Sequence, residues 1–218
     1  MARIARVVLP GHPHHVTQRG VRSMDIFFCE DDYRVYLQLL AEQGRRFGLQ
    51  VVSYCLMTNH VHLIVIPSDE TTLARAIGET HRLYTRMINF RQKTRGYLFQ
   101  GRFFSTPLDE QHLFAAVRYV EQNPVRAKMV GQAWEYPYSS ARYRVGIVEE
   151  EKVLSKYAPL DAITDGKEFL ALAPEETGMI REKTRTGRPC GDAAFYRQVE
   201  EVTGMDLARK KAGRPKEK

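Results

Sequence analysis

Cysteine is scarce in this chain of 218 residues: there are three, at Cys29, Cys55 and Cys190. An odd number of widely spaced cysteines excludes a disulfide framework and points to a reducing, cytoplasmic compartment. None belongs to a Cys-x-x-Cys pair, which argues against a structural zinc ribbon. Long apolar runs are missing too. No stretch approaches the ~20 residues that a membrane-spanning helix needs, so no membrane partner is expected. The opening Met1-Ala2-Arg3-Ile4-Ala5-Arg6 is followed by a short apolar run and then Pro10-Gly11, which does not read as a signal peptide.

What is present suffices for a core. Hydrophobic residues make up 43% and charged residues 27%, which suits one globular domain with appendages. The formal net charge of +7 favours an anionic partner, most often nucleic acid. Arg75, Arg82, Arg86, Arg91, Lys93, Arg95 and Arg102 crowd the middle of the chain. Arg209-Lys210-Lys211, Arg214, Lys216 and Lys218 form a second cluster. The acidic stretch from Glu149-Glu150-Glu151 to Glu176 reads as a spacer between them.

The chain is organised around Leu56-Met57-Thr58-Asn59-His60-Val61-His62-Leu63-Ile64-Val65-Ile66. Its apolar content predicts a strand buried on both faces. Side chains repeat every two residues along a strand, so His60 and His62 share a face. Two adjacent imidazoles can supply half of a site for a divalent metal. The same pair could equally be satisfied by backbone carbonyls.

Around that strand the periodicity predicts an order. A first strand, His14 to Arg19, ends at Gly20. A helix opened by Asp31 and Asp32 carries Tyr33, Tyr36, Leu37, Leu40 and Phe47 and stops at Gly48. Leu49–Cys55 is a strand, and Thr58-Asn59 turns into the His60 strand. Thr71 or Thr72 caps a long helix with Leu73, Ile77, Tyr84 and Ile88 facing inward. Tyr97-Leu98-Phe99 and Arg102-Phe103-Phe104-Ser105 form a fourth strand or hairpin. Pro107 introduces a helix from about Glu110 to Gln122. The first six elements match an α+β, ferredoxin-like split β-α-β plan with a central antiparallel sheet and helices on one face. Residues 1–148 are expected to form the main domain, and 149–218 a largely helical or disordered basic extension. In that extension Gly187-Arg188-Pro189 and Gly213-Arg214-Pro215 each resemble the core of an AT-hook, where an extended arginine enters a narrow minor groove. An ordinary turn is the competing reading.

The last helix of the domain carries Tyr119-Val120-Glu121-Gln122-Asn123-Pro124. Tyr119 and Asn123 are four apart and lie one above the other. Asn before Pro also suits a helix N-cap.

Asn59-His60-Val61-His62-Leu63, Leu98-Phe99-Gln100-Gly101-Arg102-Phe103 and Arg118-Tyr119-Val120-Glu121-Gln122-Asn123-Pro124-Val125-Arg126 together resemble the single-tyrosine HUH transposases, most of all the REP-associated tyrosine transposases. His15-Val16-Thr17-Gln18-Arg19-Gly20 also looks familial, and the resemblance covers roughly residues 10–145. It implies a nuclease and strand transferase that cuts single-stranded DNA near a hairpin, with Tyr119 as nucleophile and a 5′-phosphotyrosine link. A Mg²⁺ or Mn²⁺ ion would be held by His60, His62 and Asn123, with Gln122 as the fallback ligand. DNA hairpins of palindromic repeats are the implied partner, in a nucleoid-associated setting, and no organic cofactor is called for. A homodimer, with Tyr119 serving either its own histidine pair or a partner's, stays open. Arg19, Arg82, Arg86, Arg95 and Arg102 are expected to meet the DNA backbone, with Arg188, Arg209, Lys210, Lys211 and Arg214 from the extension. Aromatics interleaved with these arginines suit single strands, whose bases stack on rings while phosphates meet cations. Two other classes remain: a catalytically silent hairpin-binding regulator on the same fold, and a Zn²⁺-dependent hydrolase. The hydrolase lacks a His-Glu-x-x-His arrangement and leaves the basic surface unexplained.

Overall fold

The computed structural model describes residues 5–172 and 177–207. The elements that build the domain are β1 (His14–Arg19), α1 (Glu30–Phe47), β2 (Leu49–Met57), β3 (His60–Pro67), α2 (Thr72–Arg91), β4 (Phe104–Pro107) and α3 (Glu110–Glu121). They are followed by α4 (Asn123–Arg126), α5 (Ala141–Arg144), α6 (Ala158–Asp161), α7 (Gly166–Ala171), α8 (Thr177–Thr186) and α9 (Ala193–Thr203). The sheet has four strands in the order β2-β3-β1-β4, and each neighbouring pair is antiparallel. This is the ferredoxin-like arrangement expected from the element order.

Strand alternation sorts the core into two layers. Val61, Leu63 and Val65 of β3 face one side with Val16 and Tyr54, and there they pack on Tyr36, Leu40, Leu73, Ile77 and Tyr84 of α1 and α2. Ile64 and Ile66 face the other side and pack on Leu113, Val117 and Val120 of α3. Helices on one face therefore describes α1 and α2 alone, because α3 covers the opposite face. The pattern could not show this: β3 is apolar on both sides and so accepts a layer on each. An irregularity between Val51 and Ser53 shifts the parity of β2, leaving Ser53, Cys55 and Met57 on the α3 side.

Local signals account for most boundaries. Gly48 ends α1 at φ +74, where an added Cβ would sit 2.4 Å from Ser68 Oγ, so only glycine closes this turn without strain. Thr71 stands at the N-cap of α2, as expected, but its side chain makes no capping hydrogen bond. Asp69 Oδ1 accepts from the Thr71 and Thr72 amides at 2.7 and 3.0 Å. Asp109 caps α3 by accepting from the His112 amide at 2.8 Å. Of the expected hairpin only Phe104 and Ser105 lie in a strand, β4, and Phe99 makes a single bridge to Gly20.

The segment after residue 148 packs on the same layers. Val153 joins the α1/α2 core, whereas Leu160, Phe169, Leu170, Ile180 and Cys190 join the α3 core. The acidic stretch is no free spacer at its start: Tyr54 Oη donates to Glu151 at 3.1 Å, and Ser155 N to the Val51 carbonyl at 2.7 Å.

Candidate functional site

His60 and His62 project from β3 towards α3, as period-two alternation requires. His60 Nδ1 lies 2.6 Å from Asn59 Oδ1, and Asn59 in turn donates to the Ser23 carbonyl at 3.1 Å. His62 Nδ1 lies 2.9 Å from His15 Nε2. His15 Nδ1 is 2.7 Å from Thr184 Oγ1, which donates to the Ile180 carbonyl at 2.7 Å. Thr17 pairs with His62 in the register of β1 and β3, so His15 is the next residue on the same face and reaches His62 diagonally.

Tyr119 enters from α3. Its ring centroid is 5.7 Å from those of both His15 and His62, edge to face in each case. The Arg126 guanidinium lies 4.2 Å from the centre of the Tyr119 ring. Arg126 also donates from Nη2 to the Tyr119 carbonyl at 2.7 Å and to Asn123 Oδ1 at 2.9 Å. Tyr119, Asn123 and Arg126 fall on one side because they are spaced by four and three residues along a nearly continuous helical path.

These side chains line a cavity of about 910 Å³ together with Gln18, Arg19, Gln100, Arg181, Thr184 and Arg185. Burial holds His60 down to about 4, with Arg19 adding to the effect. Burial lowers His15 to about 3, with Arg126 contributing, and takes His62 well below its ordinary value. All three are therefore neutral at pH 7, the state in which an imidazole offers a lone pair to a metal.

Among the described residues no three His, Cys, Asp or Glu side chains cluster as a metal site. A divalent ion here would take its protein ligands from His60 and His62 plus an amide oxygen, with the rest from water and phosphate. The donor set fits. Each histidine has Nδ1 engaged by a neighbour, the pattern that orients a metal-binding imidazole. Asn123 has its Oδ1 on Arg126, and its Nδ2 is buried with no partner among the described residues. It acts as no N-cap: α4 begins at Asn123, with Gln122 before it. Gln122, the fallback ligand, donates to the Leu170 carbonyl and is not brought to the cavity.

The expected DNA-contacting cations separate. Arg19 lines the cavity. Arg102 lies at its margin, in a recess of about 50 Å³ shared with Arg6, Ser105 and Arg185. Arg82 and Arg86 belong to α2, beyond the sheet from the cavity, and Arg82 is paired with Glu79 at 2.6 Å. Arg95 is exposed in the loop after α2. Arg188 donates to the Leu207 carbonyl, and its own carbonyl accepts from Thr106 Oγ1 at 2.5 Å. The first Gly-Arg-Pro is thus docked beside β4, with its arginine engaged within the fold. Arg209, Lys210, Lys211 and Arg214, with the second Gly-Arg-Pro, lie outside the described residues. Of the interleaved aromatics, Tyr84, Phe99 and Phe103 are core, while Phe90 and Tyr97 are 87% and 88% exposed.

Sequence reasoning missed His15, Arg126, Arg181, Thr184 and Arg185 as cavity residues. His15 and Arg19 share strand parity with Thr17, and Arg126 lies seven after Tyr119. Those two signals were available. Nothing local marks Thr184, which is 169 residues from His15.

Comparison with known proteins bears on the whole arrangement. Residues 14–123, half of the chain and all of β1 to α3, match the family described as "Transposase IS200 like". A solved structure described as a REP-associated tyrosine transposase bound to a REP hairpin superposes with a TM-score of 0.59 at 16% identity, covering 72% of this chain and 93% of that one. A protein from Deinococcus radiodurans R1 described as a transposase gives a TM-score of 0.38 at 15% identity, covering 56% of this chain and 97% of that one. No curated protein matches. No helix among the described residues is long and apolar enough to cross a membrane. With the family match spanning the strand of the histidine pair, the helix of the cavity tyrosine and Asn123 alike, the chain belongs to the IS200-like transposase family.

Proposed function

We propose that the protein is a metal-dependent, single-stranded DNA nuclease and strand transferase that acts at DNA hairpins, with Tyr119 as its nucleophile. The observation that carries the reading is the convergence of His60, His62, Tyr119 and Asn123 on one cavity, from a strand and a helical segment far apart in sequence. The Tyr119 phenol oxygen attacks a backbone phosphorus, so the P–Oη bond forms as the P–O3′ bond breaks. The phenolic proton is lost, the 3′ oxygen gains one, and a 5′-phosphotyrosine link is left. The free 3′-hydroxyl can later attack such a link and rejoin strands, which is strand transfer.

Tyrosine is a weak nucleophile at its unperturbed pKa of about 10, so positioning is essential. α3 packs Tyr119 at 6% exposure against His15 and His62, and Arg126 holds its backbone carbonyl. The positive charge of Arg126 beside the ring favours the phenolate as it develops. His60 and His62, with Asn123, would hold Mg²⁺ or Mn²⁺. Such an ion supplies Lewis-acid polarisation of the scissile phosphate. Arg19, Arg181 and Arg185 line the approach for flanking phosphates. Tyr119 stands beside the histidines of its own chain, so the reaction is proposed to run in cis.

The test is denaturing electrophoresis of the protein with a labelled single-stranded hairpin and Mn²⁺, followed by mapping of the labelled peptide. A covalent adduct on Tyr119 is expected, and none in Tyr119→Phe, which removes one hydroxyl and leaves the packing. An adduct that persists in that variant, or maps elsewhere, overturns the assignment. Hairpin binding without any adduct would favour the silent regulator.

A further inference from the structure

We propose that Thr184 of helix α8 and His15 of β1 are positioning residues that fix His62 in the tautomer with Nδ1 protonated and Nε2 bare. The proposal deepens the reading of His60 and His62 as metal ligands and rests on it for its metal-binding arm. α8 lies outside the family-matched residues 14–123, so the chain after the shared domain becomes part of the site's construction and not an appendage to it.

The direction of each hydrogen bond follows from its end point. The Ile180 carbonyl can only accept, so the Thr184 hydroxyl donates to it at 2.7 Å. That donation uses the one hydroxyl proton of Thr184. The partner of Oγ1 at 2.7 Å, His15 Nδ1, must then be the donor. A neutral imidazole carries one N–H, so His15 Nε2 is left bare and accepts. Its partner at 2.9 Å is His62 Nδ1, which therefore bears the proton of His62. The His62 Nε2 lone pair remains for a ligand. The near-parallel planes of the two rings, 7° apart, suit an N–H···N bond lying in both.

Burial makes the relay selective. Thr184 is 3% exposed and His15 is 1% exposed, so water cannot readily substitute for either partner, and the alternative proton arrangement would leave two acceptors or two donors facing each other. The contacts that place Thr184 are tertiary. Ile180, one turn earlier on α8, is fully buried in the α3 core, and α8 packs on β1, β4 and α3. Arg181 and Arg185 come to the cavity from the same helix face, three residues before Thr184 and one after it.

The experiment uses full-length, metal-free protein labelled with ¹⁵N at histidine, at neutral pH. Ring ¹⁵N shifts should show His62 with a protonated Nδ1 and an unprotonated Nε2. The opposite tautomer in the wild type would overturn the proposal without any variant. Thr184→Val should convert His62 to a mixture or to the opposite tautomer and weaken Mn²⁺ binding, measured calorimetrically, by about tenfold or more. Thr184→Ser, which keeps the hydroxyl, should preserve both readouts. Unchanged tautomer and Mn²⁺ affinity in a folded Thr184→Val would also overturn it, and if that variant does not fold, the wild-type spectrum still decides. A wild type with the expected tautomer that binds no Mn²⁺ upholds the relay and refutes the metal reading instead.

Discussion

Replacing Arg144 by Met should destabilise the protein more than any surface change and loosen the helix that presents Tyr119. Glu121, two residues after Tyr119, is fully buried in the α3 core layer. Its carboxylate receives Arg144 Nε at 3.0 and 2.9 Å and Nη2 at 3.0 Å. Ser140 Oγ donates to it at 2.7 Å and Ser53 Oγ at 3.0 Å. The network therefore binds α3 to β2 and α5 at one point. Removing the guanidinium leaves a buried carboxylate with two hydroxyl donors and no counter-charge, which costs about 3–5 kcal/mol. For a chain of this size each kcal/mol lowers the melting temperature by ~2–4 °C, so a fall of roughly 6–20 °C is expected. Circular dichroism melts of the wild type, Arg144→Met, and Arg144→Met combined with Glu121→Gln would measure it. The double variant should recover part of the loss, because the amide needs no counter-charge. A fall below ~2 °C in the single variant, or a double variant less stable than it, would refute the reasoning. Adduct formation by Arg144→Met below its melting temperature should also slow, with Mn²⁺ affinity unchanged.

Other outcomes follow from the same geometry. His60→Ala or His62→Ala should abolish cleavage while leaving hairpin binding largely intact, and EDTA should reproduce the effect; full cleavage by metal-stripped protein would sink the metal reading. Burial lowers His81 to about 3, so its contribution to stability is complete above pH 6.5 and is lost as pH falls from 6.5 towards 3. Between pH 6.5 and 4.5 that loss is about 2 kcal/mol, and urea midpoints of His81→Gln in EDTA should fall less steeply over this window than those of the wild type. Arg19→Ala should reduce the slope of log affinity against log salt for a single-stranded ligand by about 0.7. Arg82→Ala with Arg86→Ala should leave that slope unchanged, and anisotropy titrations between two salt concentrations separate the cases.

Local periodicity determined much of this molecule. Alternation along β3 placed His60 and His62 on one face, and helical spacing placed Tyr119 above Asn123, because each relation is set by backbone geometry within a single element. The boundaries of β1 and α1 were equally legible, since glycine at the stops and acidic residues at the helix start act within a turn of where they stand. Tertiary structure decided what lies between elements. A strand apolar on both sides does not say which layer each helix takes, so the side of the sheet covered by α3, and hence the remoteness of Arg82 and Arg86, could not be read. The partners of buried polar groups were hidden for the same reason. Gln122 turns to Leu170, Asn123 to Arg126, Glu121 to Arg144, and His15 to both His62 and Thr184, and each choice satisfies a desolvated donor or acceptor with whatever packing brings near it. Of those contacts the sequence carries both ends and no record of their meeting.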